Sequence, residues 1–215
     1  MLSGLFLRPY YQAQAGVGHF MNEWIMTVDE NDSVTGYGEK IEVHRNAVRH
    51  RAFSVFILNI YDGKILVQKR AGVKYHSGGL WSNSCCSHQR RGESLSEAVL
   101  RGVRHELGLN ILLQDKSPDM DLPGDVVCGQ LHEAGVFSYF KQFPDLAENE
   151  IDHVFYILVD EADIKVEADP DECDEVKWIS VNGLRDWLES SPESFTAWFS
   201  KAFELLQADL GRTRE

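Results

Sequence analysis

The apolar residues of this chain fall into short runs broken by Gly, Asp, Asn and Ser, with one stretch of four-residue periodicity. The run Trp24-Ile25-Met26-Thr27-Val28 predicts a strand, ended by the turn-rich Asp29-Glu30-Asn31-Asp32-Ser33. Residues 53–60 predict a strongly apolar strand, Tyr61-Asp62-Gly63 a hairpin turn, and Ile65-Leu66-Val67 the start of the return strand. A loop rich in Gly and polar residues follows from about residue 71 to residue 92. A helix comes next. Ser94 and Glu97 fit a capping box, Leu95, Val99, Val103 and Leu107 give one buried face, and Gly108 suits the stop. Residues 126–140 read as strand-rich, 153–159 as a buried strand, and 178–180 as the close of a short one. The acidic stretch 160–175 reads as a solvated loop. Two C-terminal helices are expected. The last starts at Ser191-Pro192 and carries Phe195, Trp198, Ala202, Phe203 and Leu206 on one face. This pattern predicts a single α+β domain, a mixed β-sheet flanked by helices, over residues 22–210, between an extension (1–21) and a tail (211–215).

Composition narrows the class. With 43% hydrophobic and 26% charged residues in 215, the chain is neither disordered nor collagen-like and can bury a sizeable core. Acids outnumber bases 34 to 21, a net charge of −13. That excess argues against nucleic acid and anionic membranes as partners. An anionic substrate would need a local positive pocket or a metal. No apolar run approaches the ~20 residues of a spanning helix, and the opening MLSGLFLRPYY lacks a basic leader segment. Four cysteines are too few for a disulfide framework at this size, so reduced thiols in the cytoplasm are expected.

Four groups of residues could carry chemistry. His44, His50 and His88, with Glu148 and Glu150, offer three imidazoles and two carboxylates. Alternation on an extended segment would aim both glutamates the same way. Such donors suit a divalent ion such as Mn²⁺, Zn²⁺ or Fe²⁺; on spacing alone, surface histidines beside an acidic turn is the simpler reading. In Asn83-Ser84-Cys85-Cys86-Ser87-His88, a thiol two residues from a histidine could be a nucleophile, an acid or a ligand, or an inert buried pair. Lys40, Lys69, Arg70 and Lys74 could cradle a diphosphate or simply be solvated edge residues. In the helix 92–109, Glu97, Arg101, Val103, Glu106, Gly108 and Leu109 match the Nudix box, whereas Gly102 and His105 replace two of its acids.

Together, Gly36-Tyr-Gly-Glu-Lys40, His44, Arg49-His50-Arg-Ala-Phe-Ser54, Lys69-Arg70-Ala71, Leu80-Trp-Ser-Asn-Ser-Cys-Cys-Ser-His88, Arg104-His-Glu-Leu-Gly108 and Glu148-Asn-Glu150 resemble the type I isopentenyl diphosphate isomerases, enzymes of the Nudix fold. The resemblance spans roughly residues 22–206. It implies a Nudix-type mixed sheet and the interconversion of isopentenyl and dimethylallyl diphosphate in isoprenoid biosynthesis. Cys86 and Glu150 would be catalytic, with Tyr139 beside them. His44, His50, His88, Glu148 and Glu150 would bind one Mn²⁺ or Zn²⁺. Glu106 and the carbonyl of Cys86 would hold a Mg²⁺ that bridges the diphosphate. Lys40, Arg70 and Lys74 would contact the diphosphate, and Trp198 would face the isoprenoid tail. Gly102 stands where some members carry a diphosphate-binding arginine, which Arg101 or Arg104 would then replace. The implied protein is a cytoplasmic monomer or homodimer. The competing readings are a Nudix-type diphosphate hydrolase acting on a nucleotide or isoprenoid diphosphate, and a non-catalytic module that kept fold and metal.

Overall fold

Along β3 (His50–Asn59) nearly every side chain is buried, because both faces of this strand are covered. Phe53, Val55 and Ile57 point to one core and Phe56 and Leu58 to another. The computed structural model describes residues 23–113 and 125–212. The predicted extension 1–21 and most of the tail lie outside them. Before β3 come β1 (Trp24–Val28), β2 (Val34–Glu39) and the short α1 (Lys40–Arg45). After it come β4 (Ile65–Arg70), β5 (Trp81–Ser82), β6 (Cys85–His88), α2 (Leu95–Leu107) and β7 (Asn110–Leu113). The chain continues through β8 (Val126–Gln142), β9 (Ala147–Val159), β10 (Cys173–Ile179), α3 (Val181–Ser190) and α4 (Phe199–Arg212).

The sheet is mixed, in the order β10-β4-β3-β9-β8-β7. β3 and β9 run parallel over ten pairs, from His50↔Glu150 to Asn59↔Val159. β8 and β9 are antiparallel and set Tyr139 against Glu150. On its other edge β3 pairs first with β6 and then with β4. Helix α2 covers one face through Val99, Val103 and Leu107; α4 covers the other through Phe199, Phe203 and Leu206. Thus the mixed sheet flanked by helices is as the sequence predicts.

The start of α2 is the predicted capping box. Glu97 N–H donates to Ser94 Oγ (3.3 Å) and Ser94 N–H to Glu97 Oε2 (2.8 Å). At its end Gly108 takes φ +70°, and a Cβ there would lie 2.6 Å from the Glu167 carbonyl oxygen, so glycine is required twice over.

Several expectations are corrected, and the first is the loop of residues 71–92, within which β5 and β6 lie. The stretch 160–175 is not a free solvated loop. Glu167 and Asp169 donate their N–H groups to the carbonyls of Leu107 and Glu106 (both 3.0 Å), satisfying two acceptors that the last turn of α2 leaves unpaired. Ile164 and Val166 pack on the core, and Cys173 already opens β10. The final helix starts at Phe199, not at Ser191-Pro192. Residues 192–194 form one 3₁₀ turn, after which Phe195 is extended. Thr196 N–H then donates to the Trp81 carbonyl (2.9 Å), and Phe195 stacks on Phe199 with ring centroids 4.6 Å apart. That tie to β5 outweighs the helix-start signal of Ser-Pro. The helix also runs to Arg212, two residues into the segment read as a tail.

Candidate active site

Two short-range backbone contacts prepare two of the histidines. His44 on α1 donates from Nδ1 to the Lys40 carbonyl (2.6 Å), and His50 at the start of β3 donates from Nδ1 to the Val48 carbonyl (2.8 Å). When neutral, each ring therefore turns an Nε2 lone pair toward the interior, and when protonated an Nε2–H. His88 closes the triangle from the end of β6, with ring centroids 4.6–5.0 Å apart among the three. On β9, Glu148 and Glu150 project to this side, as the two-residue period requires. One ligand atom from each of these five residues lies within 4.8 Å of every other.

Hydrogen bonding inside the group is incomplete. Glu150 Oε1 lies 3.2 Å from His50 Nε2 and 2.9 Å from His88 Nε2. His44 Nε2 and Glu148 Oε2 are buried, 3.6 Å apart and without hydrogen-bond partners. A buried lone pair with nothing to accept from is costly. Two such atoms facing one point, in a set of three imidazoles and two carboxylates, fit a divalent cation. Burial pulls the His44 pKa down, but the neighbouring Glu148 carboxylate outweighs it and leaves a net rise. His88 is pushed well below its ordinary value by burial and by the other two imidazoles.

Beside this cluster opens a cavity of about 990 Å³. His88, Glu148 and Glu150 reach its wall, whereas His44 and His50 are fully buried behind it. Cys86 lines it from β6, and alternation sends the adjacent Cys85 into the α2 core instead. Burial drives the Cys86 thiol up to about 12, against the opposing pull of Arg70, whose Nη1 donates to Sγ at 3.4 Å. The thiol thus holds its proton at neutral pH. Glu150 behaves oppositely: burial would raise it, but hydrogen bonds and charge from its neighbours, His50 and Tyr139 among them, bring it down to about 2. Tyr139 donates its hydroxyl to Glu150 Oε2 at 2.6 Å. Burial and the Glu150 charge keep that phenol protonated.

The remaining predicted residues also meet here. Lys40, Arg70, Lys74 and Glu106 line the cavity. Lys40 is paired with Glu23 (2.9 Å) and Lys74 with Glu172. Glu106 accepts from Gln68 Nε2 (2.6 Å), and burial raises its pKa. Trp198 is held by its indole N–H on Asn83 Oδ1 (3.1 Å), with the Arg70 guanidinium 5.4 Å over its ring. Lys69 is not part of the group. Gln68 and Arg70 occupy the inward face of β4, so Lys69 faces away. On α2, Arg101 reaches the cavity and bonds Glu93 and the His88 carbonyl, whereas Arg104 is exposed.

Sequence reasoning passed over several residues. Asp152 continues the alternation of Glu148 and Glu150 into the same cavity and accepts from Ser54 Oγ (2.8 Å). That third acid in register was a usable signal. Glu172, His76 and Tyr75 also line the cavity, and no spacing pattern pointed to them.

A profile of the NUDIX domain matches residues 48–199. The isopentenyl-diphosphate Delta-isomerase of Serratia proteamaculans is 37% identical over 180 residues, 83% of this chain and 88% of that protein. The isopentenyl-diphosphate Delta-isomerase 2 of Photorhabdus laumondii is 36% identical over 182 residues, 84% of this chain and 90% of that one. Among solved structures, DR0079 from Deinococcus radiodurans aligns over 85% of this chain and 98% of its own length (TM-score 0.63, 17% identity). At that identity the likeness concerns the fold alone.

Proposed function

This chain belongs to the isopentenyl-diphosphate Delta-isomerases of the NUDIX fold, and on that premise we propose that it interconverts isopentenyl and dimethylallyl diphosphate by adding one proton and removing another across its cavity. The observation that carries this reading is the pairing in one cavity of a thiol that keeps its proton with a carboxylate that has released its own. An alkene is a very poor base, so its terminal methylene takes up a proton only in a closed apolar site with a positioned acid. The tertiary cation that results returns to neutrality by losing a proton from the neighbouring methylene, which leaves the double bond one position along. Cys86 and Glu150 are the pair that delivers and collects these protons, and the reverse reaction exchanges their roles. Tyr139, donating to Glu150, gives that carboxylate a hydroxyl through which to reach the cavity. A turnover leaves one partner a proton short and the other a proton rich, so the pair must exchange with solvent before the next.

Arg70, Lys74 and Lys40 supply the positive charge that a chain of net charge −13 needs in order to hold a diphosphate. The Trp198 indole lines the cavity and in this reading would face the forming cation, a contact worth about 0.5–2 kcal/mol. Placement and electrostatics supply the larger part of an acceleration of at least ~8 kcal/mol. His44, His50, His88, Glu148 and Glu150 would hold one Mn²⁺ or Zn²⁺, and Glu106 with the Cys86 carbonyl a Mg²⁺ brought by the diphosphate. Bound there, such ions neutralise carboxylate and phosphate charge and fix ligand orientation. Residues 22–210 form the isomerase domain in this reading, a cytoplasmic monomer or homodimer. Among the described residues no helix is long and apolar enough to cross a membrane.

The test is purified protein with isopentenyl diphosphate and Mg²⁺ in deuterated water, followed by NMR. Dimethylallyl diphosphate carrying deuterium is the expected product. Release of phosphate instead would move the chain to the diphosphate hydrolases.

A further inference from the structure

His76 sits in the loop between β4 and β5, nearly buried, outside the group of five. Its Nε2 lies 2.6 Å from Glu148 Oε1. A carboxylate oxygen cannot donate, so at this distance the ring proton is on Nε2 in an ion-pair contact with the carboxylate, and Nδ1 is left to accept from Ser77 Oγ at 3.2 Å. Three aromatic rings fix the imidazole. Phe143 lies against it at 4.9 Å and 31°, while Tyr75 and Trp198 meet it edge-on at 4.7 and 6.1 Å. The other oxygen of the same carboxylate, Glu148 Oε2, is the buried unpartnered atom that faces His44. A free carboxylate could rotate and exchange its oxygens. With Oε1 tied to a ring that cannot turn, Oε2 alone is presented to the histidines.

We propose that His76 is a positioning residue for Glu148, holding Oε1 so that Oε2 is fixed as the ligand atom for a divalent ion. The inference rests on the reading of the five-residue group as a metal site. Outer contacts of this kind are worth about 10–100-fold in metal affinity.

The experiment is Mn²⁺ titration of metal-stripped protein, with free Mn²⁺ read by electron paramagnetic resonance. His76→Phe keeps the aromatic packing and removes the donor, and should bind Mn²⁺ about 10–100-fold more weakly than the unaltered chain. His76→Gln restores a donor and should bind more tightly than His76→Phe. In a Glu148→Ala background, His76→Phe should cause no further loss, because a residue acting through Glu148 has nothing left to position. If the unaltered chain binds Mn²⁺ and His76→Phe and His76→Gln bind it equally well, the role of His76 is overturned and the metal site stands. An additional loss in the Glu148→Ala background likewise overturns action through Glu148. If the unaltered chain takes up no Mn²⁺, the metal site falls and the inference with it.

Discussion

Cys85 and Cys86 are neighbours in the chain and opposites in surroundings. One-residue alternation on β6 puts the first among Phe53, Val99 and Val103 and the second in the cavity. The two thiols should therefore separate cleanly. Cys86→Ala should lower kcat by about 10²–10⁴-fold, the usual worth of a positioned acid or base, and Glu150→Gln by a similar factor. Cys85→Ala should keep kcat within about twofold and show its effect as a lower Tm, the ordinary result of trimming a core side chain. Steady-state isomerisation assays beside thermal melts distinguish the cases, and wild-type turnover in Cys86→Ala would remove that residue from the chemistry. At this scale the residue types in the sequence were informative. The i, i+2 spacing of the glutamates pointed to their common face, but spacing alone favoured surface histidines, and only the family resemblance grouped the imidazoles with the carboxylates. His76 gave no such signal, because a lone histidine in a Gly-rich loop has no period to betray which way it turns. Glu172 gave none either, because an acidic run reads as solvated until its backbone partners are known.

Among the elements, α2 shows why Gly102 is not a vacancy for a longer side chain. A Cβ there would lie 3.0 Å from both Cys85 Sγ and Phe53 Cζ, and both neighbours are wholly buried. Helix propensity favours alanine over glycine by about 1 kcal/mol, while overpacking a core costs about 1–3 kcal/mol. Gly102→Ala should thus be destabilising by roughly 1 kcal/mol, seen as a lower denaturation midpoint, and an equal or higher midpoint would show that the helix can shift outward. The docked stretch before β10 makes a second prediction. Glu172 meets Lys74 and His105 and, although burial opposes it, is brought down to about 2, whereas His105 is raised chiefly by Glu172. A depressed carboxylate stabilises the fold above its ordinary value near 4.5 and loses that effect as pH falls toward 2. A raised histidine contributes below its ordinary 6.5 and loses that as pH climbs past its folded value. The clasp should be strongest between about pH 4.5 and 6.5. The Tm deficit of Glu172→Gln should shrink between pH 5 and pH 3; a deficit independent of pH would assign the loss to packing. Periodicity disclosed α2 and β3 because their apolar patterns are long. It misplaced the start of α4, since Ser-Pro describes a local preference and the bond from Thr196 to Trp81 comes from 115 residues away.

For the molecule as a whole, the five-residue group that could hold a metal is a junction: α1, β3, β6 and β9 each supply at least one of its members. An ion that binds only the folded chain stabilises it by about 2.7 kcal/mol at a hundred times its dissociation constant. In a protein of this size that corresponds to a Tm rise of roughly 5–10 °C. Calorimetry with Mn²⁺ and then with excess chelator should show the rise and its reversal together with loss of turnover; a Tm indifferent to both would argue against occupancy. The general architecture could be read from the sequence because the long strands and α2 carry their own patterns, whereas the short β2, α1, β5, β6 and β7 do not. The parallel pairing of β3 with β9 could not, because nothing local in either strand names its partner. That pairing has a consequence in time. His50 and Glu150 are 100 residues apart, and closing such a loop costs about 4 kcal/mol of chain entropy before any contact offsets it. Non-local parallel contacts of this sort form late on the way to the native state. A ribosome must release residue 159 before the last rung of the ladder can exist, so the three imidazoles wait through most of synthesis without their carboxylates. Divalent ions should accordingly slow unfolding in stopped-flow mixing and leave the refolding rate unchanged.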